Sequence, residues 1–438
     1  MKSRLIIKDG LIIDPARSLE VKGDLVVEDG KIIQSGPGAA SSFNQNAEVI
    51  EAKGMIIAPG FIDFHCHLRE PGFEDKETIK TGSLAAAAGG FTTICCMPNT
   101  QPSADSTSTL SYIRETAARD SRVRVLPIAC VTVDRAGKTL APMIELAEAG
   151  AVGFSDDGSP IADSWIMLRA LEYSKPLGLP IINHCEDPAL VANGQMNEGK
   201  ISTLLGIPSS PAISEEVMIA RDVRLAEYTG AWVHIAHIST AGGVEIVREA
   251  KRRGVRVTAE ATPHHLSLTE EAVMNYDTNA RVNPPLRTQE DIEALIEGLK
   301  DSTIDIIATD HAPHTSSDKN QEFSLAPAGI SGFETALGVV MKLVHDGRLT
   351  MAEVVSKMTI APAAILVGAG LKLGSLDNGS IADITIIDPG QRWVVDSNAF
   401  LSKGKNTPYN RMELKGKVAF TIVSGQIIFN GTKNSQTL

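Results

Sequence analysis

The sequence of 438 residues has a formal net charge of −12, with 43% hydrophobic and 21% charged residues. This composition is typical of a globular protein with room for one large and one smaller domain. The absence of a long basic block argues against nucleic acid as the main partner, and no apolar run reaches the ~18–20 residues of a membrane span. The N-terminus lacks a secretory signal, and the five cysteines have no Cys-x-x-Cys spacing, so we expect buried thiols in a cytoplasmic protein.

The first part of the chain, residues 1–55, predicts β-hairpins. The stretches LIIKDGLIID and DLVVEDGKIIQSG each place Asp-Gly between runs of β-forming residues. Asp-Gly between such runs is a strong signal for a two-residue hairpin turn. We therefore expect this part to form a small β domain rather than to join the helical pattern that follows.

The middle of the chain, residues 56–367, alternates predicted strands with predicted helices. The clearest helix, TQEDIEALIEGLK, begins with a capping-box pattern at Thr288 and Asp291. Eight repeats of strand and helix predict a (β/α)8 TIM-like barrel, whereas a doubly wound sheet is disfavoured because no Gly-x-Gly-x-x-Gly follows the first strand. The eight predicted strands are residues 56–66, 91–98, 122–131, 151–156, 180–185, 231–238, 255–261 and 303–309.

The last part of the chain, residues 368–438, returns to the β-rich style of the first. GSIADITIID and KVAFTIVSGQIIFNG again read as strands separated by turns. The economical interpretation is one composite β-sandwich domain built from residues 1–55 and 368–438, with the barrel inserted into it.

Polar residues recur where the predicted barrel strands end. The stretch FIDFHCHLREPG, residues 61–72, places His65, His67 and Arg69 two apart, so a strand would present them on one face. A single histidine at such a position is more often structural, but convergence at the C-terminal rim of a barrel favours an active site. The other strand ends carry Asn99, Asp156, Asp157, His184, His237, His264, His265, Asp310 and His314.

A subset of these residues is suited to divalent metal, because imidazole and carboxylate are the usual ligands of catalytic zinc. Six ligands exceed the three that one catalytic zinc takes, which favours two ions sharing a carboxylate and lowering the pKa of bound water toward ~7. Adjacent strand residues face opposite ways, so either Asp156 or Asp157 bridges the ions, and the pattern alone does not choose. The predicted ligands are His65, His67, His184, His237, Asp310 and one of the pair Asp156 and Asp157.

The remaining histidines are weaker predictions. His234 precedes His237 by three residues, so in a strand it would face the other side, and we expect it in the core. His264 and His265 stay unassigned. The long polar connection of residues 311–332 is predicted to be a lid, because long loops at a barrel mouth often close over the site.

Several motifs, taken together and in this order, carry a resemblance to a known family. They are DFHCHLREPG, MPNT, FSDDG, NHCED, HIAHIST, ATPHHL, NPPLR and ATDHAPH. The chain resembles the amidohydrolase superfamily and, within it, bacterial class I dihydroorotases of the Bacillus and Aquifex type. Dihydropyrimidinases and allantoinases are similar in scaffold but have a carboxylated lysine on strand 4, where this sequence has SDDG. That departure fits the type in which an aspartate bridges the metals.

The resemblance implies reversible cyclisation of N-carbamoyl-L-aspartate to L-dihydroorotate in pyrimidine biosynthesis, with two zinc ions per subunit. It implies that His65, His67 and Asp310 hold one zinc, that His184 and His237 hold the other, and that Asp157 bridges them. Asp310 would also act as the general acid and base. Substrate would be bound by Arg69, Asn99 and His314 at its carboxylate, and by Asn283, Ala328 and Gly329 at its ring.

Two alternatives remain beside that interpretation. Another cyclic amidohydrolase, such as an allantoinase or hydantoinase, is disfavoured by Arg69 and by the missing strand-4 lysine. A non-catalytic partner of aspartate transcarbamoylase is disfavoured because every metal ligand is present. A homodimer and an association with aspartate transcarbamoylase are further expectations.

Overall fold

A computed structural model describes residues 4–43, 47–366 and 370–432. It contains a parallel barrel surrounded by helices and a separate sheet built from both ends of the chain, so the predicted fold class is confirmed. The predicted domain boundary between residues 367 and 368 lies outside the described residues. Among the residues that are described, no helix is both long enough and apolar enough to cross a membrane.

The strands fall into three parts of the chain. The N-terminal part contributes β1 (Arg4–Asp14), β2 (Leu19–Glu28), β3 (Lys31–Gly36), β4 (Glu48–Glu51) and β5 (Ile56–Pro59). The middle contributes β6 (Phe61–Cys66), β7 (Phe91–Cys96), β8 (Arg124–Pro127), β9 (Phe154–Ser155), β10 (Ile181–Asn183), β11 (Met196–Asn197), β12 (Ser209–Ser210), β13 (Val233–Ile235), β14 (Val257–Ala261) and β15 (Ile306–Ile307). The C-terminal part contributes β16 (Ile384–Val394), β17 (Glu413–Val423) and β18 (Gln426–Asn430).

The helices lie between the barrel strands and after them. They are α1 (Ile79–Ala88), α2 (Thr107–Asp120), α3 (Met143–Glu148), α4 (Ser164–Leu177), α5 (Pro188–Val191), α6 (Lys200–Leu205), α7 (Ile213–Thr229), α8 (Ala241–Arg252), α9 (Gln289–Lys300), α10 (Ser316–Lys319), α11 (Phe333–His345), α12 (Met351–Met358) and α13 (Ile360–Ile365). Helix α9 begins at the predicted capping box, in which the side chains of Thr288 and Asp291 each accept the other's backbone N–H.

The barrel wall consists of two parallel sheets that close on each other. One sheet contains β6, β7 and β8, and the other contains β9, β10, β13, β14 and β15. Parallel bridges between Ala129 and Phe154 and between Cys66 and His311 join their edges, so that eight strands form a ring. The C-terminal ends of all eight strands therefore meet at one mouth.

The strand predicted over residues 56–66 is in fact two strands. Strand β5 pairs with β1 and β16 of the terminal sheet, whereas β6 pairs with β7 of the barrel. Between them the Gly60 N–H donates to the Asp383 carbonyl at 2.8 Å, and a Cβ on Gly60 would lie 2.2 Å from Thr92 Oγ1. We therefore propose Gly60 as the point where the chain leaves the small domain and enters the barrel.

The terminal sheet has the strand order β18-β17-β16-β5-β1-β2-β3, with β4 also paired to β1. One half of β1 pairs with β4 and the other half with β5, so the sheet branches at this strand. Buried side chains from seven of its strands, among them Leu25, Ile57 and Ile384, pack into a cluster separate from the barrel core. The small domain consequently has a core of its own.

Phe91 offers a test of the packing at the base of the barrel. Its fully buried ring lies between those of Phe61 and Phe333, with centroids 6.0 and 5.5 Å away. We expect Phe91→Ala to lower the free energy of unfolding by about 3–5 kcal/mol, because truncation leaves a cavity. Calorimetry should show a clear fall in Tm, whereas Tyr228→Ala, at a ring that is 80% exposed, should melt like the wild type. Equal melting of the two variants would contradict this packing.

Candidate active site

Two histidines at the end of β6 are held by side chains from other strands. The Nδ1–H of His65 donates to Glu260 Oε1 at 2.5 Å, and the Nδ1–H of His67 donates to Asn99 Oδ1 at 2.8 Å. In the neutral form of each ring Nδ1 carries the proton, so Nε2 presents a lone pair. The two Nε2 atoms lie 3.6 and 3.0 Å from Asp310 Oδ1, respectively.

A second pair of histidines faces the first across Asp157. His184 Nδ1 and His237 Nε2 are 2.9 Å apart, and Asp157 Oδ1 lies 3.9 and 3.4 Å from these atoms. The other oxygen, Asp157 Oδ2, lies 3.4 Å from Nε2 of both His65 and His67. Asp157 is thus the side chain between the two histidine pairs.

The structure separates the two adjacent aspartates that the sequence pattern left open. Asp156 Oδ1 accepts the backbone N–H of Val131 at 2.9 Å and of Thr132 at 3.0 Å, and its other oxygen accepts the Thr132 hydroxyl proton. Its carboxylate therefore anchors the segment after β8 instead of facing the histidines. We therefore propose Asp157 rather than Asp156 as the bridging carboxylate.

The geometry of the cluster fits metal ions. Two atoms that bind one tetrahedral zinc at about 2.0–2.1 Å lie about 3.3 Å apart. His65, His67 and Asp310 form one group whose ligand atoms lie within 4.8 Å of one another, and His65, Asp157 and His237 form another. The distances from the histidine Nε2 atoms to the aspartate oxygens in these groups are 3.0–3.6 Å, with Asp157 using a different oxygen toward each of its two histidines. The buried atoms His65 Nε2 and Asp157 Oδ1 have no hydrogen-bond partner among the described residues, as expected of atoms oriented toward an ion.

The charges at the site also favour a cation. Burial alone would raise the pKa values of Asp157 and Asp310, but the neighbouring imidazoles hold both well below the usual range, so both are ionised. Burial lowers the pKa of His65, yet Asp157, Glu260 and Asp310 together raise it well above its ordinary value. This excess of buried negative charge around one ring is what a divalent cation would neutralise.

Sequence reasoning missed Glu260 on β14. Its Oε1 meets His65 and accepts the backbone N–H of His237 at 3.1 Å, while its Oε2 accepts from His234 Nε2 at 3.2 Å. His234 is buried against Phe64, as expected of a core residue, but it belongs to this polar network. The signal that could have found Glu260 is a carboxylate inside the apolar run VTAEA, because such a group needs a partner.

Glu186 was also missed and connects two predicted site residues. The Nε2–H of His184 donates to Glu186 Oε2 at 2.6 Å, and Asn283 Nδ2 donates to the same oxygen at 2.7 Å. Burial raises the pKa of Glu186, but His184 and Asn283 outweigh it and bring the pKa to about 2. The ionised carboxylate fixes the ring of His184 with Nδ1 toward the cluster.

A cavity of 220 Å³ lies above the cluster and is lined by all six predicted substrate-binding residues. Arg69 donates from Nε to the Pro313 carbonyl at 3.3 Å, and its Nη2 lies 3.5 Å from His314 Nε2. Burial lowers the pKa of Arg69 to about 10, so the guanidinium remains charged at neutral pH. The lining residues are His67, Arg69, Asn99, Asp157, Gly158, His184, His237, Asn283, Asp310, Ala312, His314, Ala328 and Gly329.

Three residues of this cavity have a left-handed backbone although none is glycine. Their φ angles are +61° at Arg69, +30° at His237 and +45° at Asp310. Such conformations are strained for residues with a Cβ and tend to occur at functional sites. Here they turn side chains at three different strand ends toward the same space.

The two unassigned histidines lie outside the cavity lining. His265 pairs through Nδ1 with Thr262 Oγ1 at 2.8 Å and donates from Nε2 to the Pro284 carbonyl at 2.9 Å. It therefore supports the segment that carries Asn283. Burial lowers the pKa of His264 to about 4, and its Nε2 has no hydrogen-bond partner among the described residues.

Comparison with known proteins gives a consistent result over nearly the whole chain. A family model described as Dihydro-orotase-like matches residues 54–242. The dihydroorotase of Syntrophus aciditrophicus (strain SB) is 52% identical over 426 residues, which cover 97% of this chain and 99% of the relative. The dihydroorotase of Thermoanaerobacter sp. (strain X514) is 50% identical over 435 residues, which cover 99% of each chain.

The solved structures that match are similar in fold and more distant in sequence. L-hydantoinase (dihydropyrimidinase) from Arthrobacter aurescens superposes with a TM-score of 0.88 at 25% identity, covering 98% of this chain and 96% of that one. Dihydropyrimidinase from Brevibacillus agri NCHU1002 has a TM-score of 0.84 at 21% identity, covering 99% and 96%. At 21% identity, the similarity to the Brevibacillus agri enzyme shows a shared fold only.

The different contacts of the two aspartates generate a prediction about metal content. We expect Asp157→Ala to lose most of the metal that copurifies with the wild type, because it removes the carboxylate between both histidine pairs. Asp156→Asn keeps an oxygen for the two N–H groups after β8 and should retain the metal. Elemental analysis of both purified variants provides the measurement, and the reverse outcome would transfer the bridging role to Asp156.

Proposed function

We propose that this chain, which belongs to the dihydroorotase family and is a cyclic amide hydrolase, interconverts N-carbamoyl-L-aspartate and L-dihydroorotate in pyrimidine biosynthesis. The observation that carries the proposal is one cavity lined by both a half-buried arginine and candidate metal-binding side chains. Arg69 shares that space with Asp157 and Asp310. L-Dihydroorotate carries a carboxylate close to its cyclic amide, so a cation beside a metal cluster matches its two functional groups.

Metal dependence follows from the family and from the clusters of histidine and aspartate, and we propose two zinc ions per chain. His65 and His67 would hold one ion with Asp310, His184 and His237 would hold the other, and Asp157 would bridge. When bound, these ions would supply Lewis acidity and lower the pKa of a water molecule that attacks the ring amide. The fixed tautomers of His65 and His67 support this assignment, since each leaves a lone pair on Nε2.

Arg69 and Asn99 would bind the substrate carboxylate. The planar guanidinium of Arg69 can form two parallel hydrogen bonds to it. Asn99 uses Oδ1 for His67, which leaves its amide N–H groups to donate to the substrate. Burial and the charge of Arg69 lower the pKa of His314 to about 2, so we propose that His314 shapes the wall beside Arg69 as a neutral ring. Asn283, Ala328 and Gly329 would contact the ring of the substrate from the rest of the lining.

Asp310 would move the proton. Its Oδ1 lies 3.0 Å from His67 Nε2, and its carboxylate lines the cavity. During ring opening an ionised Asp310 would take a proton from the attacking water and deliver it to the leaving ring nitrogen. Ring closure would use the same group in its protonated form.

Three further predictions concern a cytoplasmic location, a homodimer and an association with aspartate transcarbamoylase. The five cysteines are free and buried, which supports a reducing compartment such as the cytoplasm. The homodimer and the association with aspartate transcarbamoylase can be tested by light scattering of the purified chain with and without that enzyme.

The direct test of the proposed function is an assay of the purified chain in both directions. We expect hydrolysis of L-dihydroorotate, cyclisation of N-carbamoyl-L-aspartate, and loss of both after metal removal by a chelator. Hydantoin and allantoin serve as control substrates, because neither carries the carboxylate that Arg69 would bind. Faster turnover of either control substrate than of L-dihydroorotate would assign the chain to another cyclic amide hydrolase.

The role of Arg69 leads to a prediction about specificity. Arg69→Met should leave the metal content unchanged and reduce kcat/KM for L-dihydroorotate by the equivalent of about 2–5 kcal/mol, because the substrate carboxylate loses its charged partner. Arg119→Met, at an exposed side chain of α2, is the matched control and should behave like the wild type. Near-normal kcat/KM in Arg69→Met would remove Arg69 from the binding site.

The role of Asp310 leads to a prediction about rate. Asp310→Asn should keep much of the metal but lose about 10²–10⁴-fold in rate, the usual range for a lost general acid–base group. In the wild type, the rate of ring opening should rise with pH because this direction needs the ionised base. The rate of ring closure should fall with pH through the same apparent pKa. That value belongs to the coupled site rather than to Asp310 alone. If the pH–rate profiles of wild type and variant coincided, the proton would need another carrier.

A further inference from the structure

Asn406, in the connection between β16 and β17, uses every hydrogen-bonding position of its side chain on the active-site wall. Its Nδ2 donates to the carbonyls of Ala312 at 3.1 Å and Gly329 at 2.9 Å. Its Oδ1 accepts the backbone N–H of His314 at 2.9 Å and the hydroxyl proton of Ser331 at 2.8 Å. The side chain is only 3% exposed, so these groups have little access to water as a substitute.

The four partners belong to two adjacent chain segments that line the cavity. Residues 312–314 follow the eighth barrel strand, and residues 329–331 lie at the C-terminal end of the predicted lid, residues 311–332. The Ala312 N–H donates to the Ile330 carbonyl at 2.8 Å, so the two segments already touch. Asn406 spans them from outside the barrel.

The contact between these segments leaves little room for a shift. Gly329 has a φ of +143°, and a Cβ there would lie 2.6 Å from the Ala312 carbonyl oxygen and 3.0 Å from His314 Nε2. The Nε2–H of His314 donates to the Ala328 carbonyl at 2.8 Å. A small movement of either segment would therefore move the ring of His314.

Further hydrogen bonds, made by Arg281 and Lys319, hold residues 326–329 of the same cavity wall independently of Asn406. The Gly329 N–H donates to the Arg281 carbonyl at 2.9 Å, and Arg281 Nη1 donates to the Ala326 carbonyl at 2.5 Å. The buried ammonium group of Lys319 donates to the Pro327 carbonyl at 2.7 Å. The wall is thus fixed by Arg281 from the connection after β14, by Lys319 within the 311–332 connection itself, and by Asn406 from the small domain.

We propose that Asn406 is a positioning residue for the substrate, and that through it the small domain completes the substrate-binding wall. This inference rests on the proposed function, since His314 and Gly329 matter as the substrate wall of that reaction. Asn406 touches neither the cavity nor a predicted metal ligand through its side chain, so it would act only by setting the separation between His314 and Gly329. An amide is required because the site needs two donors and two acceptors on one planar group.

The test compares Asn406→Asp with the wild type and with Asn410→Asp. Aspartate has the shape of asparagine but no donor, so it would direct a carboxylate oxygen at the Ala312 and Gly329 carbonyls. Asn410 lies four residues along, on the same connection, and is exposed, with its Oδ1 on the Ser397 N–H. Asn406→Ser serves as the second variant if Asn406→Asp fails to fold.

We expect Asn406→Asp to raise KM for L-dihydroorotate by about 10- to 100-fold, since displaced binding groups lose their alignment. Its metal content and kcat should change little, and Asn410→Asp should match the wild type. A merely structural role would lower kcat, metal content and Tm together and leave KM unchanged, and that outcome would overturn the inference. A wild-type KM in folded Asn406→Asp or Asn406→Ser would also overturn it.

A double-mutant cycle with His314→Ala separates this inference from the proposed function. If Asn406 acts through His314, the effect of Asn406→Asp on KM should be much smaller in the His314→Ala background. Fully additive effects would overturn the inference. A wild-type chain without dihydroorotase activity would reject the proposed function itself, whereas an active wild type with an unaltered variant would reject only the role of Asn406.

Discussion

Buried negative charge at the mouth of the barrel is the constraint on which the rest of the structure depends. Asp157, Asp310 and Glu260 are 3%, 7% and 0% exposed, and all three surround His65. An ion removed from water costs several kcal/mol unless it is paired. Glu260 is satisfied by hydrogen bonds from His65, His234 and the backbone of His237, whereas the two aspartates depend on the neighbouring imidazoles. The proposed metal ions would stabilise both carboxylates, so that metal binding would also contribute to the stability of the folded site.

The same constraint explains why the chemistry sits on a barrel. Groups from β6, β10, β13, β14 and β15 can meet only where parallel strands end together. A barrel of this kind supports several cyclic amide hydrolyses, so specificity must come from the lining rather than from the fold. In this chain the lining includes Asp157, the proposed bridging residue, and the charged group of Arg69.

Much of this arrangement could be predicted from the sequence, and the failures have physical reasons. The eight apolar runs located the barrel strands, and the polar residues after them located the mouth, because both patterns are local. The sequence predicts a single strand over residues 56–66, because periodicity does not reveal a change of sheet at Gly60. The choice between Asp156 and Asp157 depended on which backbone N–H groups lie nearby in space.

Glu260 and Asn406 were missed for a related reason. Their partners lie far away in the sequence: Glu260 follows His65 by 195 positions, and Asn406 follows His314 by 92 positions. Carboxylates and amides are common in any sequence, so only their burial distinguishes them. Supporting residues of a site are therefore harder to read from a sequence than the residues that line it.

The terminal sheet also determines the order in which parts of the protein can fold during translation. Strands β5 and β16 are hydrogen-bonded neighbours, although the entire barrel is synthesised between them. When the barrel has been synthesised, strands β1 to β5 are therefore present with the β5 edge still unpaired. That edge can pair only after β16 has been synthesised. The connection carrying Asn406 emerges in the same final stretch of synthesis. The proposed metal ligands are therefore all synthesised before Asn406, the residue proposed to complete the substrate wall.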